Sequence, residues 1–372
     1  MKRINIMTSC DNNIVRYILP QLVSLEENMS GYDLHYYLVH CRIDPGNVKM
    51  LEEFTHNRTG ITFHEIKLDD VSLYEAVARG GGPWPCEAYF TLRVQDYMPD
   101  DVDRVWYLDT GDIVICGDAG PYYFADFEGN SLIVTPMSYK KDPESGKESL
   151  YTRDDILTLA DGPMFNSGSY IIDVEKFRRE GYESEDYLYL SEALKPHAKH
   201  DLFVYLGDQG FLATAFVEDM LLYGYPEIMD VGYMPYNYIT SFYGLHKRDP
   251  ICDPVVLHYD TKVKPWVARF TGEVIDSIID KPDFITNNLV APIPQILYMS
   301  AQHARHCETW WKYAKDTPIY DEANIRATIT AESWLMHYFP VCKKYNDLTK
   351  LVTSAGETAG RLESMTDSGE RK

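Results

Sequence analysis

Arg104-Val105-Trp106-Tyr107-Leu108-Asp109-Thr110-Gly111-Asp112-Ile113-Val114-Ile115 decides how this chain folds. Its β-branched and aromatic residues up to Leu108 are those of a buried strand. Two carboxylates then arrive, separated by Thr110 and a glycine that permits a tight turn, before apolar residues resume. A charge inside a buried strand is costly, so the strand ends at Asp109. Open α/β sheets bind ligands at the carboxyl ends of their strands. Two hard oxygen donors close in sequence suit Mg²⁺ or Mn²⁺ bridging to a diphosphate. A solvated turn in which Asp112 caps a local N–H fits the same spacing.

Similar runs flank this segment: Ile4 to Met7, Leu34 to Val39, Ile61 to Ile66, Leu132 to Thr135, Tyr170 to Val174 and Val255 to Tyr259. Helix-period segments lie between several of them, such as Ile14, Ile18, Leu22 and Leu25, or Val48, Leu51 and Phe54. The alternation predicts an open, mainly parallel α/β sheet flanked by helices. Pro20 inside the first helical pattern should kink or delay that helix. Gly80-Gly81-Gly82-Pro83-Trp84-Pro85 breaks the chain before a helix near Cys86. From Pro282 the strand signal fades, and Trp310, Trp311, Trp334, Leu335 and Tyr338 anchor helical patterns. The expected organisation is a sheet domain over 1–281, a helical C-terminal region over 282–352 and a disordered tail over 353–372, which has almost no apolar anchors.

The 372 residues include 35 Lys and Arg against 57 Asp and Glu, a net charge of -22. Such a field repels phosphate backbones, so nucleic acid is not expected as a partner and a phosphate ligand would need local positive charge. The seven cysteines form no C-x-x-C pair, which argues against a disulfide scaffold and fits a reducing cytoplasm. The N-terminus lacks the apolar stretch of a signal peptide. The longest stretch free of charged side chains, Phe284 to Ala304, carries Asn287, Asn288, Pro292, Pro294 and Gln295 and does not read as a membrane span.

Four further segments carry groups able to do chemistry. Asp11-Asn12-Asn13 closes the first strand, either as a helix N-cap or as part of the same rim as Asp109. Phe165-Asn166-Ser167-Gly168 reads as a turn ahead of a strand, and Gly207-Asp208-Gln209 as a helix start with Asp208 at the N-cap. Leu257-His258-Tyr259-Asp260 followed by Lys264-Pro265-Trp266 puts an imidazole at a strand end and a lysine just beyond it. His258 is either a hydrogen-bonded core residue or the third member of a carboxylate and imidazole metal site.

In this order the segments resemble glycosyltransferase family 8, and within it the bacterial lipopolysaccharide galactosyl- and glucosyltransferases. The resemblance spans about Ile4 to Trp266. It rests on the first strand with Asp11, Tyr89-Phe90, Tyr107-Leu108-Asp109, Phe165-Asn166-Ser167-Gly168, Asp208-Gln209, Met234-Pro235-Tyr236-Asn237, and His258-Tyr259 with Lys264-Pro265-Trp266. It implies a GT-A fold and retaining transfer of a hexose, glucose or galactose, from a UDP-sugar to a glycan or glycolipid acceptor in polysaccharide biosynthesis. It also implies a cofactor, Mn²⁺ or Mg²⁺. Carried over, it puts Asp11 and Asn13 at the uridine end, and Asp109 and His258, with Asp112, on the metal. Asn166, Asp208 and Gln209 would face the donor sugar, with Gln209 near the anomeric carbon, and Lys264 the diphosphate. The sequence departs from the pattern in four places. The second acid of D-x-D stands one residue late, at Asp112; Thr91 replaces an arginine, and Arg93 would sit on a different helix face; Ile14 replaces an aromatic; and Thr261 replaces a glycine. These departures motivate a competing reading, a catalytically impaired member that binds a nucleotide-sugar or glycan.

Overall fold

The first strand, Arg3–Ser9 (β1), and the second, Asp33–His40 (β2), pair in parallel, as expected when a helix connects them. Here that helix is Ile18–Asn28, preceded by one 3-10 turn at Val15–Tyr17. Its start is thereby delayed, and Pro20 falls in its first turn, where a missing N–H costs least. Helix Pro45–His56 buries Val48 and Leu51 and leads to β3, Ile61–Lys67. A short helix, Ser72–Ala78, is followed by an 11-residue 3-10 helix, Cys86–Asp96, that breaks at Arg93. The acid segment forms β4, Arg104–Leu108, and β5, Ile113–Ile115.

Next come β6, Leu132–Pro136, the two-residue strands β7, Lys140–Lys141, and β8, Glu148–Ser149, and then β9, Phe165–Asp173. The last strands are β10, Met220–Leu222, β11, Tyr238–Ile239, and β12, Val256–His258. The computed structural model describes residues 1–58, 60–79, 84–136, 140–141, 148–149, 165–181, 183–194, 207–216, 219–222, 238–239, 254–259, 264–269 and 301–333. The 234–237 motif, most of the glycine-rich break, Thr261 and the tail from 353 lie outside them.

Seven strands form one sheet in the order β10-β6-β9-β4-β1-β2-β3. All neighbours in it are parallel except at β9, which runs antiparallel to both β4 and β6. The sheet is therefore mainly parallel, as the alternation predicts. β9 begins at Phe165, so Asn166-Ser167-Gly168 is strand and not the expected turn; Ser169–Asp173 pair with β4, and just past that ladder Asp109 N–H donates to Gly168 O at 2.8 Å. A second sheet, β11-β12-β5, takes β5 and pairs it antiparallel to β12. The turn Asp109 to Asp112 is thus where the chain leaves the large sheet for the small one.

Side chains of successive strand residues point to opposite faces. Accordingly Leu34, Tyr36 and Leu38 join one buried cluster, while Tyr37 and Val39 join another. The first cluster also takes in Ile18, Leu22 and Leu25, and from the helix Ala301–Ala314 it takes Trp310 and Trp311. The helical C-terminal residues therefore share a core with the sheet. Among the described residues no helix is long and apolar enough to cross a membrane.

Candidate functional site

Asp109 and Asp112 are brought together by a turn that only glycine tolerates. Gly111 has φ +75°, and a Cβ there would lie 2.7 Å from Tyr17 Cβ and 2.9 Å from Tyr17's backbone C and O. The turn is pinned from several directions. Gln21 donates to Asp109 O at 3.0 Å and accepts from the Tyr36 hydroxyl at 2.5 Å, both within the core. Thr110 Oγ1 donates to Ser9 O at 3.0 Å, and Trp310 Nε1 donates to Gly111 O at 2.7 Å.

β12 delivers the imidazole. Its antiparallel register sets His258 opposite Ile113, and Tyr259 N–H donates to Asp112 O at 2.8 Å. His258 Nε2 consequently lies 3.6 Å from Asp109 Oδ2 and 3.8 Å from Asp112 Oδ2. Both separations exceed hydrogen-bond length, so these three side chains converge without closing on one another. One donor atom from each falls within 4.8 Å of the others.

Lys264 occupies the edge of this cluster, its ammonium bonded to Asp112 Oδ2 and, at 2.9 Å, to Tyr259 O. The following corner is anchored by Trp266, which stacks on Tyr17 at 4.3 Å. Asp112 is only 6 % exposed, and its Oδ1 has no hydrogen-bond partner among the described residues. A solvated turn with a capping aspartate is thereby excluded. A buried carboxylate oxygen left unpaired beside a second carboxylate and an imidazole is a donor set that fits a hard divalent cation.

Asp109 keeps 35 % of its side chain open, while protein encloses the remainder. That enclosure, and then the negative charges of Asp112 and Asp208, hold its carboxyl well above the usual carboxylate range, with Lys264 and Tyr107 opposing. Asp208 is the first residue of helix Asp208–Ala215, not its N-cap; Gly207, at φ +65°, holds that place. The Trp84 ring would meet a Cβ at Gly207 at 2.7 Å, so this approach also requires glycine. Burial pushes Asp208 up to about 6, against hydrogen bonds from Ser167 and the helix-start N–H groups. Ser167 N–H donates to Gln209 Oε1 at 3.2 Å, joining Gln209 to β9.

The remaining sequence candidates are not members of this group of three donor atoms. Asp11 accepts from Asn13 N and Nδ2 at 2.9 and 2.8 Å, a turn closed on itself and not a helix cap. Asn166 lies in β9, beside the strand that ends at Asp109. Thr91 is buried and accepts from the Tyr170 hydroxyl at 2.8 Å. Arg93 is held by Asp96 at 2.7 Å and Glu183 at 3.5 Å. Sequence reasoning missed Gln21 and Trp310. For Gln21 the signal was a polar residue inside an apolar helical stripe; for Trp310 nothing local marked it as a hydrogen-bond donor to the turn.

The sequence profile of glycosyl transferase family 8 matches residues 5–269. The chain is 24 % identical over 267 residues to General stress protein A of Bacillus subtilis (strain 168), covering 70 % of this chain and 87 % of that one. In fold it is similar to the galactosyltransferase LgtC solved with donor and acceptor sugar analogues, at 17 % identity and TM-score 0.56, covering 87 % of this chain and 100 % of that one. It is also similar to the glycosyltransferase GlyE of Streptococcus pneumoniae TIGR4, at 18 % identity and TM-score 0.50, covering 84 % of this chain and 60 % of that one. These likenesses show a GT-A architecture, an open sheet with helices on its faces and a helical C-terminal region. With the family profile running from β1 through the acid turn to the Lys264 corner, the chain belongs to glycosyl transferase family 8.

Proposed function

We propose that this glycosyltransferase retains configuration and moves glucose or galactose from a UDP-sugar to a glycan or glycolipid acceptor, in cytoplasmic polysaccharide biosynthesis, with Mn²⁺ or Mg²⁺. The observation that carries this reading is the convergence of Asp109, Asp112 and His258 at a strand-end rim, with a buried, unpaired Asp112 oxygen and Lys264 alongside. Asp109, Asp112 and His258 would hold the cation, which when bound supplies positive charge against the charge developing on the departing diphosphate. In a chain of net charge -22 such local charge is needed for any phosphate ligand.

The chain's own groups do the rest. Lys264 brings an ammonium to the diphosphate, and Asp11 and Asn13 meet the uridine end. Asn166, Asp208 and Gln209 face the donor sugar. The Ser167 contact engages the Gln209 amide oxygen, so the NH₂ end is what Gln209 offers a sugar oxygen. In the transfer, the bond from the anomeric carbon to the UDP phosphate oxygen breaks. The acceptor hydroxyl oxygen bonds to that carbon on the same face, and its proton passes to the leaving phosphate. We assign these roles to a sheet domain over 1–281, with the helical region 282–352 and the acceptor loops setting acceptor choice.

Incubation with UDP-glucose or UDP-galactose and Mn²⁺ should release UDP slowly to water, and Asp109→Asn should abolish both this release and Mn²⁺-dependent UDP binding by calorimetry. Unchanged binding in Asp109→Asn would reject the metal site. Mn²⁺-dependent UDP binding with no release from either sugar would instead favour the non-catalytic, nucleotide-sugar-binding reading.

A further inference from the structure

A second group of donor atoms lies at the exit of β2. Cys41 follows that strand directly, and Cys86 and Glu87 open the 3-10 helix Cys86–Asp96. Each thiol donates to a different oxygen of the one carboxylate, Cys41 Sγ to Oε1 at 3.5 Å and Cys86 Sγ to Oε2 at 3.3 Å. Cys86 and Glu87 are buried and Cys41 is half-buried, and one donor atom from each of the three lies within 4.8 Å of the others. Arg42 bridges the same carboxylate, with Nε 3.1 Å from Oε1 and Nη2 3.3 Å from Oε2.

We infer that Cys41, Cys86 and Glu87 form a binding site for a thiophilic divalent cation of the Zn²⁺ class, separate from the acid turn. Two sulfurs and one carboxylate oxygen are a donor set that prefers such an ion to Mg²⁺ or Mn²⁺. The charges balance. On binding, the two S–H protons leave for solvent, and the resulting thiolates and Glu87 carry three negative charges, offset by the divalent ion and the Arg42 guanidinium. Cys41 is the most exposed of the three, so a fourth ligand such as water would come from solvent on its side. Burial and the Glu87 charge raise Cys86 to about 12 and move Cys41 in the same direction.

The site sits where it can steady the rim. Glu87's backbone carbonyl accepts from Ser9 Oγ at 2.8 Å, at the end of β1. Trp84, two residues before Cys86, closes on Gly207 ahead of Asp208 and Gln209. An ion joining Cys41 to Cys86 would tie the β2 exit to that segment.

The test is titration of the reduced, full-length protein with Cd²⁺, read by thiolate-to-metal charge-transfer absorption and competed with Zn²⁺. The Asp109→Asn chain serves as a background in which the acid turn is impaired. One equivalent should produce the band in both proteins. Cys41→Ser and Cys86→Ser should each weaken Cd²⁺ by at least about tenfold. Because Cys86 is buried, the half-buried Cys41 is the decisive variant, with circular dichroism confirming its fold. Absence of the band in the wild type, or an unchanged band in Cys41→Ser, would overturn the proposal. So would a Cys41–Cys86 disulfide found by mass spectrometry in the freshly purified protein.

Discussion

Trp310 Nε1 donates to the carbonyl oxygen of Gly111 at 2.7 Å, across 199 residues of chain. A fully buried side chain of helix Ala301–Ala314 thus holds the turn that spaces Asp109 from Asp112. The same indole packs 5.5 Å from Trp266 and 6.3 Å from Tyr17, so the clamp also braces the corner that carries Lys264.

Trp310→Phe keeps an aromatic ring but leaves the Gly111 carbonyl without this partner. The expected loss is about 1–3 kcal/mol of unfolding free energy in urea. Mn²⁺ affinity should fall with it, since the turn sets the distance between the two acids. Wild-type values for both would show that the clamp does not govern the turn.

Gly111→Ala should do more damage. The new Cβ would meet Tyr17 backbone atoms that cannot swing aside, at a φ that L residues rarely adopt. A destabilisation of about 2 kcal/mol or more is expected, with loss of Mn²⁺-dependent UDP binding. Alanine at Gly31, which has nothing within 4 Å and no positive φ, is the control and should shift the urea midpoint little.

Asp208 should make stability depend on pH in the metal-free protein. Its folded value of about 6 lies above the ordinary 3.8, so the folded state binds the proton more tightly. The stability it adds is fully present below the unfolded value and is lost as pH rises through about 6. Asp208→Asn carries no such titration. The stability difference, variant minus wild type, should therefore grow in the variant's favour from pH ~4 to pH ~7, by up to about 3 kcal/mol. Urea unfolding at several pH values measures it; a flat difference would mean that the carboxyl is not held in a protonated state by burial.

Lys264→Ala should lower kcat for UDP-sugar hydrolysis or transfer by roughly 10- to 100-fold, the equivalent of a charge-assisted contact of about 1.5–3 kcal/mol. Lys264→Arg keeps the charge but substitutes a planar fork for a compact ammonium, so partial activity is expected. Equal, wild-type kcat/KM in both variants would confine Lys264 to its contacts with Asp112 and Tyr259.

Most strands were legible from their residues, because β-branched and aromatic runs bounded by polar turns specify extended backbone locally. β1 to β4 appear within a residue or two of their predicted runs. The pairing of Asp109 with Asp112 across a glycine was legible for the same reason, being a matter of neighbouring residues. Asn166-Ser167-Gly168 has the composition of a turn but is strand because it continues β9, between Phe165, paired with Pro136 of β6, and Ser169–Asp173, paired with β4. Asp208 was misassigned by one position, since Gly207 takes the cap with a backbone angle that composition does not reveal.

Distances between side chains far apart in the chain are set by packing and strand register, not by local sequence. His258 reaches the two acids because β12 pairs with β5 in one register; a slip of a single residue would turn its imidazole to the opposite face. Gln21 and Trp310 reach the turn because a helix from each end of the chain packs onto the same face of the sheet. Local chemistry therefore determined which segments bear the reactive groups, while sheet register and core packing determined which of those groups meet.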